Sequence, residues 1–171
     1  MSAAAGSAET PVSASQQRVA DYLAQHAIAA RIVNFDASTR TAADAAAAIG
    51  CDVAQIAKSI ILKAKASDQL VLVVTSGRNR VDEKRVSALI GEKTGRADAD
   101  FVRNKTGFAI GGVAPVAHTA TPITLIDEDL FEYAEIWAAA GTPNSVFCLT
   151  PVELLTLTGG RIACIKEETT A

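Results

Sequence analysis

The chain has 171 residues, of which 49% are hydrophobic and 20% charged, and its formal net charge at pH 7 is −3. This size and composition are typical of a single globular domain with a sizeable core. No apolar run approaches the roughly 20 residues that a membrane-spanning helix needs. The sequence therefore excludes a helical membrane protein.

Residues 1–15 are rich in alanine and serine and have neither a basic start nor a continuous apolar stretch. A secretion signal needs both features, so we expect a disordered leader here. The three cysteines, Cys51, Cys148 and Cys164, include no Cys-x-x-Cys spacing. This pattern argues against a disulfide framework and against a zinc site. We therefore expect no metal, no cofactor and a cytoplasmic location.

The first predicted elements are two helices with a short strand between them. Apolar residues at helical spacing predict a helix that Ser15 caps and that runs to about residue 28. Residues 30–35 favour a short strand. Thr41 is a predicted N-cap for an alanine-rich helix, which Gly50 ends.

A hairpin is predicted for the centre of the sheet. The β-branched and leucine runs at residues 60–62 and 70–74 are separated by a polar turn, which is the pattern of two paired strands. A helix from residue 82 to residue 91 and a shorter one at residues 98–105 follow. Each begins with an aspartate, a residue that favours the N-cap.

The second half of the chain carries more strands than helices. Thr150 followed by Pro151 predicts the start of a helix, which ends at Gly159. Helices and strands do not alternate strictly, so we predict an α+β domain with a mixed sheet and helices packed around it. The strands are predicted at residues 108–110, 123–126, 135–139, 145–149 and 161–165.

Two glycine–proline turns stand between these apolar runs. Glycine lets a ligand approach backbone N–H groups closely, and proline fixes the turn. The turns are either structural, or their amides form a pocket that holds a carbonyl and stabilises an oxyanion. The residues are Gly111, Gly112, Val113, Ala114 and Pro115 in the first turn, and Gly141, Thr142, Pro143 and Asn144 in the second.

Two further side chains are candidates for a site. Lys58 precedes the apolar run at residues 59–62. It is either a strand-end lysine that reaches water or an ammonium at a pocket rim that binds a phosphate or ribose oxygen. His118 either packs as a satisfied histidine or contacts a substrate and relays a proton.

Positive charge is concentrated between residues 78 and 105, where eight basic and five acidic residues give a local charge of +3. A solvated helical surface explains this pattern. The alternative is a patch that faces phosphates and binds through counterion release. Its candidate residues are Arg78, Arg80, Lys84 and Arg85.

Together these pieces resemble one family, the YbaK-like aminoacyl-tRNA deacylases. These are free-standing relatives of the editing domain inserted in bacterial prolyl-tRNA synthetase. The matching segments are residues 57–61, 111–115, 141–144, 149–151 and 157–160. The resemblance covers residues 16–167, which we take as one editing domain, followed by a tail at residues 168–171.

The resemblance implies a hydrolase that removes a wrong amino acid from a tRNA, most often the tRNA for proline, with prolyl-tRNA synthetase as a possible partner. It implies a strongly curved mixed sheet. In the family, the loop equivalent to residues 111–115 holds the ester carbonyl, and the lysine equivalent to Lys58 is thought to contact the terminal adenosine. No metal is used, and the ribose hydroxyl of the substrate assists.

The identity of the amino acid stays open at this point. Members that act on cysteinyl-tRNA usually carry a different residue where this chain has His118. Alanine, serine, threonine, cysteine and a small non-protein amino acid are all candidates. A module that binds aminoacyl-tRNA or a synthetase without turnover, and a hydrolase of small free esters, are the alternatives to editing.

Overall fold

The computed structural model describes residues 13–29, 31–36 and 41–168. The predicted leader, except for its last three residues, and residues 169–171 of the predicted tail lie outside this part. The helices are α1 (Ala14–Gln25), α2 (Ala42–Ile49), α3 (Glu83–Ile90), α4 (Ala99–Thr106) and α5 (Pro151–Thr158), with short 3-10 helices at Val53–Gln55 and Glu128–Glu132. The strands are β1 (Arg31–Asn34), β2 (Ile56–Ala64), β3 (Leu70–Ser76), β4 (Thr94–Arg96), β5 (Ile123–Asp127), β6 (Ile136–Ala139), β7 (Ser145–Leu149) and β8 (Arg161–Ala163).

The eight strands of the described residues form one mixed sheet in the order β1-β7-β6-β2-β3-β5-β8, and β4 pairs with the far end of β2. The pairs β2–β3, β6–β7, β1–β7 and β2–β4 are antiparallel. The pairs β2–β6, β3–β5 and β5–β8 are parallel. The sheet is open, and the predicted α+β domain with a mixed sheet is confirmed.

Strand β3 lies at the centre of the core, and all seven of its residues are buried. Its side chains alternate between the two faces of the sheet. Leu72 and Val74 belong to the larger apolar cluster, and Val71 and Val73 to a smaller one on the other face. Because both faces of β3 are covered, every side chain of its uninterrupted apolar run is buried. Each such side chain contributes about 1.5–3 kcal/mol to stability.

The short helices are defined by their caps. The Thr41 side chain accepts a hydrogen bond from the Asp44 N–H, and α2 ends at Gly50 in the left-handed conformation. Helix α5 has a full capping box between Thr150 and Glu153. Eight-residue helices are marginal alone, so these caps and the packing against the sheet together fix them where the sequence predicts.

Helix α1 differs from the prediction at both ends. It begins at Ala14, with Ser13 rather than Ser15 as the N-cap, because the Ser13 hydroxyl accepts from the Gln16 N–H. It ends at Gln25, not near residue 28. Serines two residues apart compete as caps, and only the geometry decides between them.

The strands differ from the prediction at three places. Residues 108–110 are not a strand, because the Phe108 N–H bonds to the Thr106 hydroxyl and the chain then turns, with the Gly112 N–H donating to Ala109 O. Strand β4 was not predicted. Strand β2 begins at Ile56, so Lys58 lies inside the strand and does not precede it.

Candidate active site

Both glycine turns and the first half of β2 line a cavity of about 270 Å³. Helix α2, the end of β6 and the start of β7 complete its wall. The cavity brings together five of the residues that the sequence singles out. These are Lys58, Gly111, Val113, Thr142 and Pro143.

The cavity exists because β2 lacks a strand neighbour for part of its length. Strand β6 pairs with β2 only at Ile56 and Ala57, and β4 pairs with it only from Leu62 to Ala64. Among the described residues, none therefore forms a strand beside residues 58–61 on that side. The turns at residues 111–113 and 142–146 face this gap, so the pocket lies where β6 separates from β2.

The two turns touch each other through Gly112. A Cβ atom on Gly112 would lie 2.8 Å from Thr142 Cα and 2.9 Å from its carbonyl carbon, which is too close for any side chain. Gly111 has a φ of +94°, a conformation that glycine adopts without strain. The contact with Thr142 explains the glycine at position 112, and the positive φ explains the glycine at position 111.

The amides of the first turn are not equivalent. The Gly112 N–H already donates to Ala109 O at 3.1 Å. Within the described residues, the N–H groups of Gly111 and Val113 have no acceptor. These two amides, and not that of Gly112, are therefore available to a ligand carbonyl.

Lys58 carries a positive charge that no carboxylate neutralises. Its Nζ donates to Asn79 O at 3.3 Å, and in the described part of the chain it forms no ion pair. Burial of the half-buried side chain lowers the pKa of Lys58, and the Arg80 charge lowers it further. An uncompensated cation in a cleft is well placed to bind an anion.

A second cavity of about 510 Å³ adjoins the first and shares Lys58 with it. Arg78 and Arg80 line this groove, and both are exposed. Of the other predicted basic residues, Lys84 is exposed on α3 and does not line the groove. The Arg85 guanidinium is already bonded to Glu168 and Cys164.

His118 lies away from Lys58. It lines a third cavity of about 710 Å³ between α1 and residues 115–122, together with Pro115. Its Nε2 bonds to Ala114 O at 2.6 Å. This cavity is the largest of these three, but its lining includes neither Lys58 nor the amides of Gly111 and Val113, so the cavity of about 270 Å³ is the candidate site.

The remaining predicted residues support the turns. Asn144 donates from its side chain to Phe35 O at 3.1 Å and accepts from the Thr142 hydroxyl at 3.0 Å. Gly141 packs against α1, since a Cβ there would lie 2.6 Å from Ser15 O. Asn144 and Gly141 therefore hold the second turn in place and do not line the cavity.

The burial of His118 has a measurable consequence. Burial lowers the pKa of His118, the bond to Ala114 O opposes this shift, and Arg18 adds to it. The unfolded chain binds a proton on His118 more readily than the folded chain does. The free energy of unfolding should therefore fall as the pH drops below about 6.5. We expect the melting temperature of a His118→Gln variant to depend less on pH between 5.5 and 7.5 than that of the wild type. Parallel curves for the two proteins would contradict this assignment.

Some features of the site were not predicted from the sequence. Trp137 and the start of α2 form part of the cavity wall, but neither belongs to a motif. The Ser59 hydroxyl is buried without a hydrogen-bond partner in the described structure. Among the described residues, no helix is long and apolar enough to cross a membrane.

Comparison with known proteins identifies the family. The model of the aminoacyl-tRNA editing domain matches residues 36–157. The uncharacterized protein YwhH of Bacillus subtilis (strain 168) is 32% identical over 123 residues, which are 72% of this chain and 78% of that protein.

Two solved structures have the same fold. A protein provisionally described as a trans-editing enzyme for prolyl tRNA synthetase is 43% identical, with a TM-score of 0.86, and the match covers 91% of this chain and 99% of that one. The hypothetical protein APE2540 is 28% identical, with a TM-score of 0.81, over 88% of this chain and 99% of that one. The chain belongs to the family of aminoacyl-tRNA editing domains.

Proposed function

We propose that this protein is a trans-editing hydrolase that deacylates mischarged tRNA, with the 270 Å³ cavity as the site for the amino acid. The observation that carries the proposal is that Lys58 and the free amides of Gly111 and Val113 meet at one small cavity. Pockets for drug-sized ligands measure about 300–1,000 Å³. This cavity lies just below that range and has room for an aminoacyl group.

The reaction is ester hydrolysis by water. The Gly111 and Val113 amides hold the ester carbonyl, and each donor that also binds the oxyanion contributes roughly 3 kcal/mol. Water attacks the carbonyl carbon, the bond from that carbon to the ribose oxygen breaks, and a proton passes to the ribose oxygen. An aminoacyl ester is reactive, so positioning and carbonyl polarisation supply the catalysis without a side-chain nucleophile.

The larger groove beyond Lys58 is the proposed place for the 3′ end of the tRNA. Lys58 lies in the wall that both cavities share, so its ammonium can bind a terminal phosphate or ribose oxygen while the amino acid enters the smaller one. Arg78 and Arg80 extend the positive surface of the groove. The tRNA is then held mainly through its backbone, as in other electrostatic complexes.

Salt dependence tests this placement. We expect Arg80→Ala to weaken tRNA binding and to reduce the slope of log K against log salt by about 1, because one phosphate contact is lost. Arg103→Ala, which removes an exposed arginine from α4, is the matched control and should leave the slope unchanged. Equal slopes for wild type and Arg80→Ala would place the tRNA elsewhere.

We further propose that the tRNA is the one for proline, since a relative that is 43% identical is provisionally described as a trans-editing enzyme for prolyl tRNA synthetase. That synthetase is then a candidate partner, and the cytoplasm the place of action. The amino acid is small: alanine, serine, threonine or cysteine. Release of amino acid from mischarged proline tRNAs tests the proposal, whereas binding without release indicates a non-catalytic module.

A further inference from the structure

A buried carboxylate lies behind the lysine of the site. Asp127, at the end of β5, is fully buried. Its Oδ2 accepts from the Thr75 hydroxyl at 3.2 Å, the Ser76 N–H at 3.0 Å and the Asn79 Nδ2 at 2.8 Å, and its Oδ1 accepts from the Asp129 N–H at 3.0 Å. In the described part of the chain no cation forms an ion pair with Asp127. Four hydrogen bonds therefore hold this carboxylate, and the nearby Lys166 charge adds a weaker attraction.

Asn79 connects this carboxylate to Lys58. Its Nδ2 also donates to Asp129 Oδ2 at 2.8 Å, so both amide hydrogens are bound by carboxylates. Its main-chain N–H donates to Ser76 O at 2.9 Å. Its main-chain carbonyl accepts from Lys58 Nζ at 3.3 Å.

The turn that carries Asn79 also contacts the start of β2 and the preceding 3-10 helix. The Gly77 N–H donates to Ile56 O at 2.7 Å, and a Cβ on Gly77 would lie 2.4 Å from Val53 O. The backbone therefore packs directly against the 3-10 helix at Val53–Gln55. On the outer side, Asp129 is ion-paired with Lys166 at 2.8 Å.

We infer that Asn79 and Asp127 are positioning residues that hold the Lys58 ammonium in place for deacylation, an inference that rests on the proposed function. Asp127 accepts from the Asn79 side chain and the carbonyl of the same residue accepts from Lys58, so Asn79 couples the buried carboxylate to the lysine. A lysine side chain has about 2 kcal/mol of rotamer entropy. The Asn79 carbonyl, which the hydrogen bonds of Asn79 hold in place, restricts the rotamers of Lys58 before the substrate binds.

A double-mutant cycle tests the inference with mischarged tRNA as substrate. Asn79→Ala should lower kcat/KM about tenfold in the wild-type background, and less than twofold when Lys58 is already alanine, because residues that act as one unit are not additive. If Lys58→Ala changes mainly KM, Asn79→Ala should also change mainly KM, and if Lys58→Ala changes mainly kcat, Asn79→Ala should do the same. Tyr22→Phe, which removes one distant hydrogen bond to Leu157 O, is the control and should keep full activity.

The outcomes separate the inference from the proposed function. Wild-type activity in Asn79→Ala, or equal losses in both Lys58 backgrounds, overturns the inference while the deacylase stands. A wild-type protein that releases no amino acid overturns both. If Asn79→Ala does not fold, Asp129→Ala removes only the outer of the two carboxylates and should show the same dependence on Lys58 with a smaller loss, and an additive loss there equally overturns the inference.

Discussion

Replacing Lys58 with alanine is expected to lower kcat/KM for deacylation of mischarged tRNA roughly 30- to 150-fold. A hydrogen bond to a charged group is worth about 2–3 kcal/mol, and each 1.4 kcal/mol is tenfold in rate. The fold should tolerate the change. Lys58 forms no ion pair in the described part of the chain, so its replacement should change the melting temperature little. Single-turnover kinetics and thermal denaturation measure the two effects.

Lys63→Ala is the matched control for this prediction. Lys63 lies on the same strand, five residues further along, and its exposed ammonium pairs with Asp68 at 2.8 Å. Surface ion pairs of this kind contribute little, so activity and melting temperature should both stay near those of the wild type. An equal loss of activity in the two variants would show that Lys58 acts only through the general charge of the surface.

Gly112→Ala is expected to reduce deacylation on the order of 10²-fold. Its Cβ would lie 2.8 Å from Thr142 Cα, so the two turns must separate, and a displacement of about 1 Å at a reacting centre can cost this much. Overpacking of this kind also destabilises by about 1–3 kcal/mol. Activity is therefore measured well below the melting temperature of the variant.

Gly95→Ala provides the comparison. The three heavy atoms nearest to a Cβ on Gly95 all belong to the Lys65 side chain, with its Cε at 2.5 Å, and the end of that flexible chain can move away. Activity should therefore be retained. If Gly112→Ala were as active as Gly95→Ala, the contact between the two turns would not be needed for the site.

Much of the fold could be predicted because its signals are local. Thr41 and Gly50 mark both ends of α2, and Thr150 with Pro151 marks the start of α5. The β2–β3 hairpin follows from two apolar runs around a polar turn. The two glycine turns were also apparent as a pair, because each stands between apolar runs, and the structure brings them into contact.

The rest depends on contacts between distant parts of the chain. The gap along β2 arises because β6 and β4 pair with different parts of it, and no local pattern encodes that register. Residues 108–110 have the composition of a strand, but Thr106 captures the Phe108 N–H. Likewise, the burial of Asp127 depends on hydrogen bonds from residues 75–79, which no local pattern around the aspartate indicates.

The central claim is tested most directly by amino-acid release from proline tRNAs charged with alanine, serine, threonine or cysteine, compared between wild type and Lys58→Ala. The account predicts that the wild type releases one or two of these amino acids and that Lys58→Ala releases them at least 30-fold more slowly. The result that contradicts it is measurable tRNA binding without release from any of the four substrates.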